Sequence, residues 1–232
     1  PPKHLKTAAR EIAAAKRPLI LAGHGGLIAE AWDELKALAE KAQIPVAWTL
    51  LGIGAIDEEH PLAYGYMGMH GWKHVNRAIQ SADLLIAIGM RFDDRVTGAV
   101  RTYAPYARIL HADVDPAEIG KNVAVEVPIV GDAKNVLAGL TKLVHAVDPA
   151  TRADYFAELK AWREESEASS WHGSGGAESG VLTADYVVER LGDLTDHVAT
   201  YVADVGQNQM WLARYTKFRR PHSHISSGGL GT

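Results

Sequence analysis

The chain contains no cysteine, which excludes disulfides, thiolate metal sites and thiol nucleophiles and suits a cytoplasmic protein. No apolar run approaches the roughly 18 to 20 residues of a membrane-spanning helix, and the Pro1-Pro2-Lys3-His4 start is no signal peptide. Neither sign of charge dominates, since 24 Lys and Arg against 28 Asp and Glu leave a formal charge of −4. Without a general positive field, neither nucleic acid nor an anionic membrane is an expected partner, and any anion binding must be local. The eleven histidines and the acids form no Ser-His-Asp, metal-spacing or paired-carboxylate arrangement. No catalytic and no metal-ligating residue is therefore assigned.

What is present is a globular composition, 47% hydrophobic and 22% charged over 232 residues. That is enough for one full core and part of a second domain. Leu5, Ala8, Ala9 and Ile12 fall at helical spacing, and Pro18 with Leu19-Ile20-Leu21-Ala22 reads as a first buried strand. A tight Gly23-His24-Gly25-Gly26 turn follows, then a helix with its apolar stripe on Ile28, Ala31, Trp32, Leu35, Ala39 and Ala42, and a short strand at Pro45 to Trp48. A long loop is expected from Thr49 to Gly71 and a helix from Trp72 to Ser81. Strands are expected at Asp83 to Ile88, Ala107 to Ala112 and Val127 to Val130, and a helix from Ala133 to Val147. Strands alternating with helices imply an α/β fold, a parallel sheet flanked by helices on both faces.

The pattern divides the chain into three parts. Residues 1–148 form a first α/β domain, and 149–180 a charged helix with a Ser- and Gly-rich connection. Residues 181–232 open a truncated second α/β domain, with a helix capped by Thr183 and a strand at Val198 to Val202. A start on Pro-Pro without methionine and a stop inside Ser226 to Thr232, a glycine-rich turn, suggest a piece of something longer.

Candidate chemistry gathers at the strand ends. Gly23-His24-Gly25-Gly26 sits between strand and helix, where bare amides and a helix N-terminus can hold a phosphate. It lacks the dinucleotide pattern G-x-G-x-x-G, and the second strand ends in Trp48-Thr49 where a nicotinamide site would place an acid. In Met67-Gly68-Met69-His70-Gly71 the glycines let backbone approach a ligand. Gly89 to Gly98 follows the apolar run Leu84 to Ile88 and packs Arg91, Asp93, Asp94 and Arg95 into five positions. Both arginines could reach one diphosphate, with the aspartates pairing or accepting from hydroxyls. His111 to Pro116 and Gly131-Asp132-Ala133 repeat the pattern, with Asp115 and Asp132 also suited to capping helices. Together these ends describe an extended nucleotide across the carboxyl edge of the sheet.

In this order the motifs resemble the catalytic subunits of the acetohydroxyacid (acetolactate) synthase family of thiamine-diphosphate enzymes. They are Gly-Met-His-Gly at 68–71, Arg-Phe-Asp-Asp-Arg-Val-Thr-Gly at 91–98, Asp-Pro-Ala-Glu-Ile-Gly-Lys-Asn at 115–122, Gly-Asp at 131–132, Val-Gly-Gln-Asn-Gln-Met-Trp at 205–211 and Ser-Gly-Gly-Leu-Gly-Thr at 227–232. The resemblance implies the central, FAD-binding-type domain and the opening of the third. Its implied FAD contacts are Gly23, Gly25, Gly26, Thr49, Leu50, Gly68, Met69, His70, Gly89, Arg91, Asp93, Arg95, Val96, Asp113, Val114, Asp132 and Ala133. Asp94 and Arg95 match the substrate channel, and Gly206, Gln207 and Asn208 the turn that contacts thiamine diphosphate. The family pattern has histidine where this chain has Asn208, which can donate a hydrogen bond but carries no charge.

The implied reaction is decarboxylation of pyruvate on thiamine diphosphate, then condensation of the two-carbon unit with pyruvate or 2-oxobutyrate in branched-chain amino-acid synthesis. Thiamine diphosphate, Mg²⁺ and FAD serve the intact enzyme, with 2-oxo acids as substrates. Its partners are further subunits in a homodimer or tetramer and a regulatory small subunit. The 232-residue chain alone is expected to be inactive and to bind FAD weakly at most. Glyoxylate carboligase is the nearest alternative in the same fold, and a non-catalytic nucleotide-binding module the alternative outside it. The Arg91 to Arg95 run favours the synthase, and a second cofactor turn at Val205 to Trp211 disfavours a pure binding module.

Overall fold

Short apolar runs closed by glycine or a polar burst become strands, and the amphipathic segments between them become the helices that cover the sheet. A computed structural model of the chain describes residues 2–169 and 180–228. Helix α1 (Pro2–Ala14) leads into β1 (Pro18–Ala22), then α2 (His24–Ile28), α3 (Trp32–Ala42) and β2 (Val46–Trp48). Next come β3 (Ala63–Tyr66), α4 (Lys73–Ser81), β4 (Leu84–Ile88), the one-turn α5 (Asp94–Thr97), β5 (Arg108–Asp113), β6 (Val127–Val130) and α6 (Ala133–Leu143). Helix α7 (Ala153–Ala168) follows, and beyond it α8 (Ala184–Leu194), β7 (Tyr201–Ala203), α9 (Gln207–Tyr215) and β8 (His224–Ser226).

The six strands β1 to β6 pair in parallel in the order β3-β2-β1-β4-β5-β6. Alternate side chains leave opposite faces. Ile20, Ala22, Ile86, Ile88, Leu110 and Ile129 pack under α1, α3 and α6, while Leu19, Leu21, Leu85, Ala87 and Ile109 pack under α4 and α7. Each fully buried Leu or Ile contributes roughly 1.5–3 kcal/mol, which is why a sheet covered on both faces needs runs as apolar as β1 and β4.

Helix α7, placed by sequence in the connecting segment, lies on the second face. Its Tyr155, Leu159 and Trp162 are buried there, the Tyr155 hydroxyl donates to Pro18 O at 3.2 Å, and Arg17 pairs with Glu158 at 2.6 Å. Just before it, the buried Arg152 guanidinium donates to the carbonyls of Ala42 and Gln43 where α3 ends. A cation there meets the negative end of the helix dipole.

Five sequence expectations change. The loop expected from Thr49 to Gly71 contains β3, disguised because Gly65 at φ +135° looks like a turn. A Cβ at Gly65 would lie 2.9 Å from Val75 Cγ2, so glycine is needed for α4 to cross closely. Helix α2 begins at His24, inside the expected turn, and α6 stops at Leu143, short of Val147. The strand expected at Val198 to Val202 is β7, shifted and paired in parallel with β8, which was not foreseen. Thr183 stands at the N-cap of α8, but its hydroxyl makes no capping bond. The connection expected over 169–176 lies, beyond residue 169, outside the described residues, as do 229–232.

The second unit docks on the segment between β2 and β3. Phe218, fully buried, joins the larger apolar cluster and meets the rings of Tyr201 and His224 edge-on. Glu58 N donates to Phe218 O at 3.1 Å, and Glu59 pairs with Arg219 at 3.2 Å and Lys217 at 3.7 Å. Among the described residues no helix is long and apolar enough to cross a membrane.

Candidate functional site at the carboxyl edge of the sheet

The chain order reverses between β1 and β4, so the two halves of the sheet diverge there and their carboxyl ends frame a crevice. Ligands of open α/β sheets bind at such a switch point. Here the crevice floor is backbone packed on backbone. A Cβ at Gly25 would lie 2.7 Å from Gly89 Cα, and one at Gly23 would lie 2.2 Å from Gly89 O. Gly89 itself sits at φ +59°. The amides expected to be bare are engaged: Gly23 N donates to Ile88 O, Gly25 N to Gly89 O and Gly26 N to Gly23 O. A ligand lying on this turn would meet glycine Cα faces, and its anionic groups would need side-chain donors.

Those donors come from the burst after β4. Phe92, only 2% exposed, points inward at φ +50° and packs edge-on against His111 and Tyr103. With that ring buried, Arg91 faces outward, while Asp93 is half-buried. Asn122 Nδ2 clamps the segment by donating to the carbonyls of Arg91 and Phe92, both at 3.0 Å. The His111 Nε2 hydrogen bonds Met90 O at 2.7 Å, and burial lowers the ring's pKa, so it donates as a neutral imidazole.

Arg91 meets Asp93 at 3.1 Å and Arg95 meets Asp94 at 3.5 Å, yet the arginine side chains remain 69% and 71% exposed. Pairs so solvated contribute little to stability, so the guanidiniums can be redirected to an anion at small cost.

The loop at 68–71 is brought onto this burst. Gly68 donates to Asn76 Oδ1 and accepts from Asn76 Nδ2, at 3.0 and 2.8 Å, while Met69 N donates to Arg95 O at 2.8 Å. At Gly68, φ +102°, a Cβ would stand 2.7 Å from Arg95 O. Beside the junction opens a cleft of about 300 Å³ lined by Met69, Asp94, Arg95, Val96 and Tyr103 among others. His70, next in the loop, is half-buried.

The remaining expected positions lie along the same edge, several with structural duties. Thr49 Oγ1 accepts from Gly52 N, and Leu50 packs on the larger cluster. Asp113 Oδ1 accepts from Asp115 N, Asp115 Oδ1 accepts from Ala117 N, and Asp132 caps α6 by accepting from Asn135 N. Ala133 is buried in the first turn of that helix. Three large apolar side chains on segments leaving strand ends stay exposed: Ile28 at 70%, Met69 at 59% and Val114 at 72%. Such residues gathered on one edge suit an organic ligand better than a simple anion.

Gly206, Gln207 and Asn208 stand apart at the start of α9. Gly206 has φ +153°, Gln207 and Asn208 are exposed, and the first turn carries no acidic residue. Asn208 Oδ1 folds back over Gly206, 3.1 Å from where a Cβ would be. The anchoring roles of Asn76, Asn122 and the inward Phe92 have no sequence signal, because nothing in their spacing marks a side chain that holds a loop in place.

A six-stranded parallel sheet with this order, glycine-floored at the switch point and flanked by helices on both faces, defines an open α/β domain. The chain belongs to the thiamine pyrophosphate enzymes, whose central-domain family model matches residues 5–140. It is 44% identical over 233 residues to the acetolactate synthase large subunit of Mycobacterium tuberculosis, covering 99% of this chain and 37% of that protein. Identity is also 44% to the probable acetolactate synthase large subunit of Methanocaldococcus jannaschii, over 100% of this chain and 39% of the relative. The acetolactate synthase large subunit of Corynebacterium glutamicum is likewise 44% identical, over 99% and 36%. The chain thus spans well under half the length of these relatives.

Proposed function

We propose that the chain is the cofactor-holding central part of an acetolactate synthase large subunit. Residues 1–148 make the FAD-type domain, 149–180 the connecting segment and 181–232 the opening of the thiamine-diphosphate domain. The joining of the Gly68 loop to the Arg91–Gly98 burst, by the Met69 amide donating to Arg95 O, supports this reading most directly. It puts two motifs over twenty residues apart on one ligand-facing edge.

FAD lies across that edge in this reading. Its diphosphate is held by Arg91 and Arg95, since the glycine amides are engaged elsewhere, and its apolar parts cover Met69 and Val114. The adenosine end runs toward Asp113 and Asp132. The turn Gly206, Gln207 and Asn208 fits a diphosphate, with a helix N-terminus behind it and no acid in its first turn. Thiamine diphosphate supplies the carbanion chemistry when bound, and the fold supplies position. The described residues hold no group of three or more His, Asp or Glu side chains suited to a metal ion, so Mg²⁺ is assigned no ligand here. Asp94 and Arg95 line the route of the 2-oxo acids, which are pyruvate and then pyruvate or 2-oxobutyrate. The assembly is cytoplasmic and built of two or four such subunits with a regulatory small subunit.

Titrating FAD while following flavin fluorescence tests the site. The double variant Arg91→Ala, Arg95→Ala should lose about tenfold or more in affinity, as expected where charge-assisted bonds are removed. Equal affinity in the double variant would remove FAD from this edge. Within a full-length large subunit, acetolactate should form from pyruvate, and turnover of glyoxylate in its place would reassign the reaction.

A further inference from the structure

Trp72 follows the Gly68–Gly71 loop and is fixed to it. Its amide donates to Tyr66 O at 2.9 Å, Gly71 N donates to Gly68 O at 3.0 Å, and a Cβ at Gly71 would fall 2.5 Å from Tyr66 O. The loop therefore has no slack with respect to the indole. Above that indole lies the far end of α9. The Arg214 guanidinium sits 4.5 Å from the Trp72 ring centre, and the Tyr215 ring meets it edge-on at 6.0 Å. Trp211, one turn earlier on α9, stacks on Tyr215 at 5.4 Å. On its other side Trp72 lies 5.8 Å from His74, which meets Tyr64 at 5.0 Å.

A second contact joins the same two parts. Tyr66, at the end of β3, is buried beside both Asp93 and Arg214, and burial with the Asp93 charge pushes its phenol up to about 12 while Arg214 opposes them. The strand-end burst and α9 thus share an electrostatic neighbourhood in addition to the ring stack.

We infer that Trp72 and Arg214 are positioning residues that couple the nucleotide edge to the diphosphate turn, with α9 as the lever between them. The inference rests on the proposed function, which puts FAD at one end and thiamine diphosphate at the other. Helix α9 is nine residues long, so the Trp72 contact and Gly206 are separated by roughly 13 Å of continuous helix. A helix of that length tilts as one body. A ligand that pulls the Gly68 loop and Met69 toward the edge shifts Trp72, and the cation–π and edge contacts carry that shift to the axis of α9. The backbone at Gly206, already at φ +153°, sets how the first amides of α9 face a diphosphate. By linkage, thiamine diphosphate must affect FAD affinity by the same factor.

The experiment titrates the full chain with FAD alone, with thiamine diphosphate and Mg²⁺ alone, and with each in the presence of the other at saturation. Flavin fluorescence reports one ligand and calorimetry the other. Each should tighten the other by about five- to tenfold, equally in both directions. Trp72→Leu and Arg214→Gln should leave each single-ligand affinity within about twofold and bring the mutual effect close to unity. Arg214→Lys, which keeps a cation over the ring, should restore part of it, and Trp72→Phe should do the same while preserving the packing. Near-ultraviolet circular dichroism selects variants that retain the fold, and the two conservative changes carry the test if the others do not. Undiminished coupling in the folded variants overturns the inference, as does mutual independence in the unsubstituted chain when both ligands bind. Run in parallel on a full-length large subunit that contains the chain, the same titrations separate the two readings: failure of that subunit to bind either ligand rejects the proposed function, whereas binding of both without mutual effect rejects the inference alone.

Discussion

The two units bury their apolar residues in different ways. In the first, every residue of β1 and β4 is buried, and helices close both faces. In the second, β7 and β8 bury only Ala203 among their six residues. Among the described residues, nine of the sixteen exposed large hydrophobic side chains fall between Val181 and Ile225, so the second unit draws order from its contact with the first. Phe218 supplies the apolar part of that contact, Arg214 on Trp72 the cation–π part, and Glu58 with Glu59 the polar part. A domain that makes its own core can hold a rigid ligand edge. One that leans on a neighbour responds to whatever moves that neighbour.

The sharpest break should come inside the self-sufficient unit. In Gly89→Ala the added Cβ would stand 2.5 Å from Gly25 Cα, at a φ of +59° that L side chains rarely adopt. Backbone, and not a flexible side chain, would have to yield. We expect a loss above about 4 kcal/mol in urea unfolding, from clash and strain together. A loss under about 1 kcal/mol would show that the crevice floor is not rigid.

Phe218→Ala should cost somewhat less, about 3 to 4 kcal/mol, and its effect should be uneven. Hydrogen exchange should speed up for amides between Tyr201 and Ser226 while β1 and β4 keep their protection. Equal loss of protection in both units would mean that they unfold together, and the comparison would fail.

The same contrast decides what could be read from sequence. Strands β1 and β4 were legible because continuous apolar runs end abruptly at Gly23 and Gly89. Strand β3 was not, because Gly65 and two tyrosines look like a loop until α4 is seen crossing over them. The buried side of α7 was hidden for a related reason. Tyr155, Leu159 and Trp162 are spaced as a helix stripe but set among Asp154, Glu158, Lys160, Arg163, Glu164 and Glu165. At the edge, each motif could be found and its chemistry guessed. What holds them in place could not, since Asn76 anchors Gly68, Asn122 and Phe92 anchor the Arg91 segment, and all three act through tertiary contact with no periodic signal. The expectation of bare glycine amides failed for a physical reason: at the switch point the Gly23 and Gly25 amides meet the carbonyls of Ile88 and Gly89 and donate to them.

Acid should separate the units with the smallest effect and opposite signs. His74, 3% exposed, donates to Tyr64 O and has its pKa lowered from 6.5 to about 4, first by burial and also by Arg163 and Arg214. Its folded form takes up protons later than the unfolded chain. The stability it confers is full above pH 6.5 and is lost as the pH falls toward 4, by at most about 3 kcal/mol. Glu58, at the contact between units, has a carboxyl raised well above its usual value, mainly by burial and further by Asp57, against Lys217 and a backbone bond at Phe218. Its contribution runs the other way, present in acid and lost as the pH rises through the folded value. Glu58→Gln should therefore stabilise the contact at pH 7 and do little at pH 4, whereas His74→Gln should flatten the acid limb of the first unit. Urea midpoints from pH 4 to 8, read by Trp fluorescence and by exchange at β7, distinguish the two. A shared slope for both variants would mean that one cooperative unit, and not two, senses the proton.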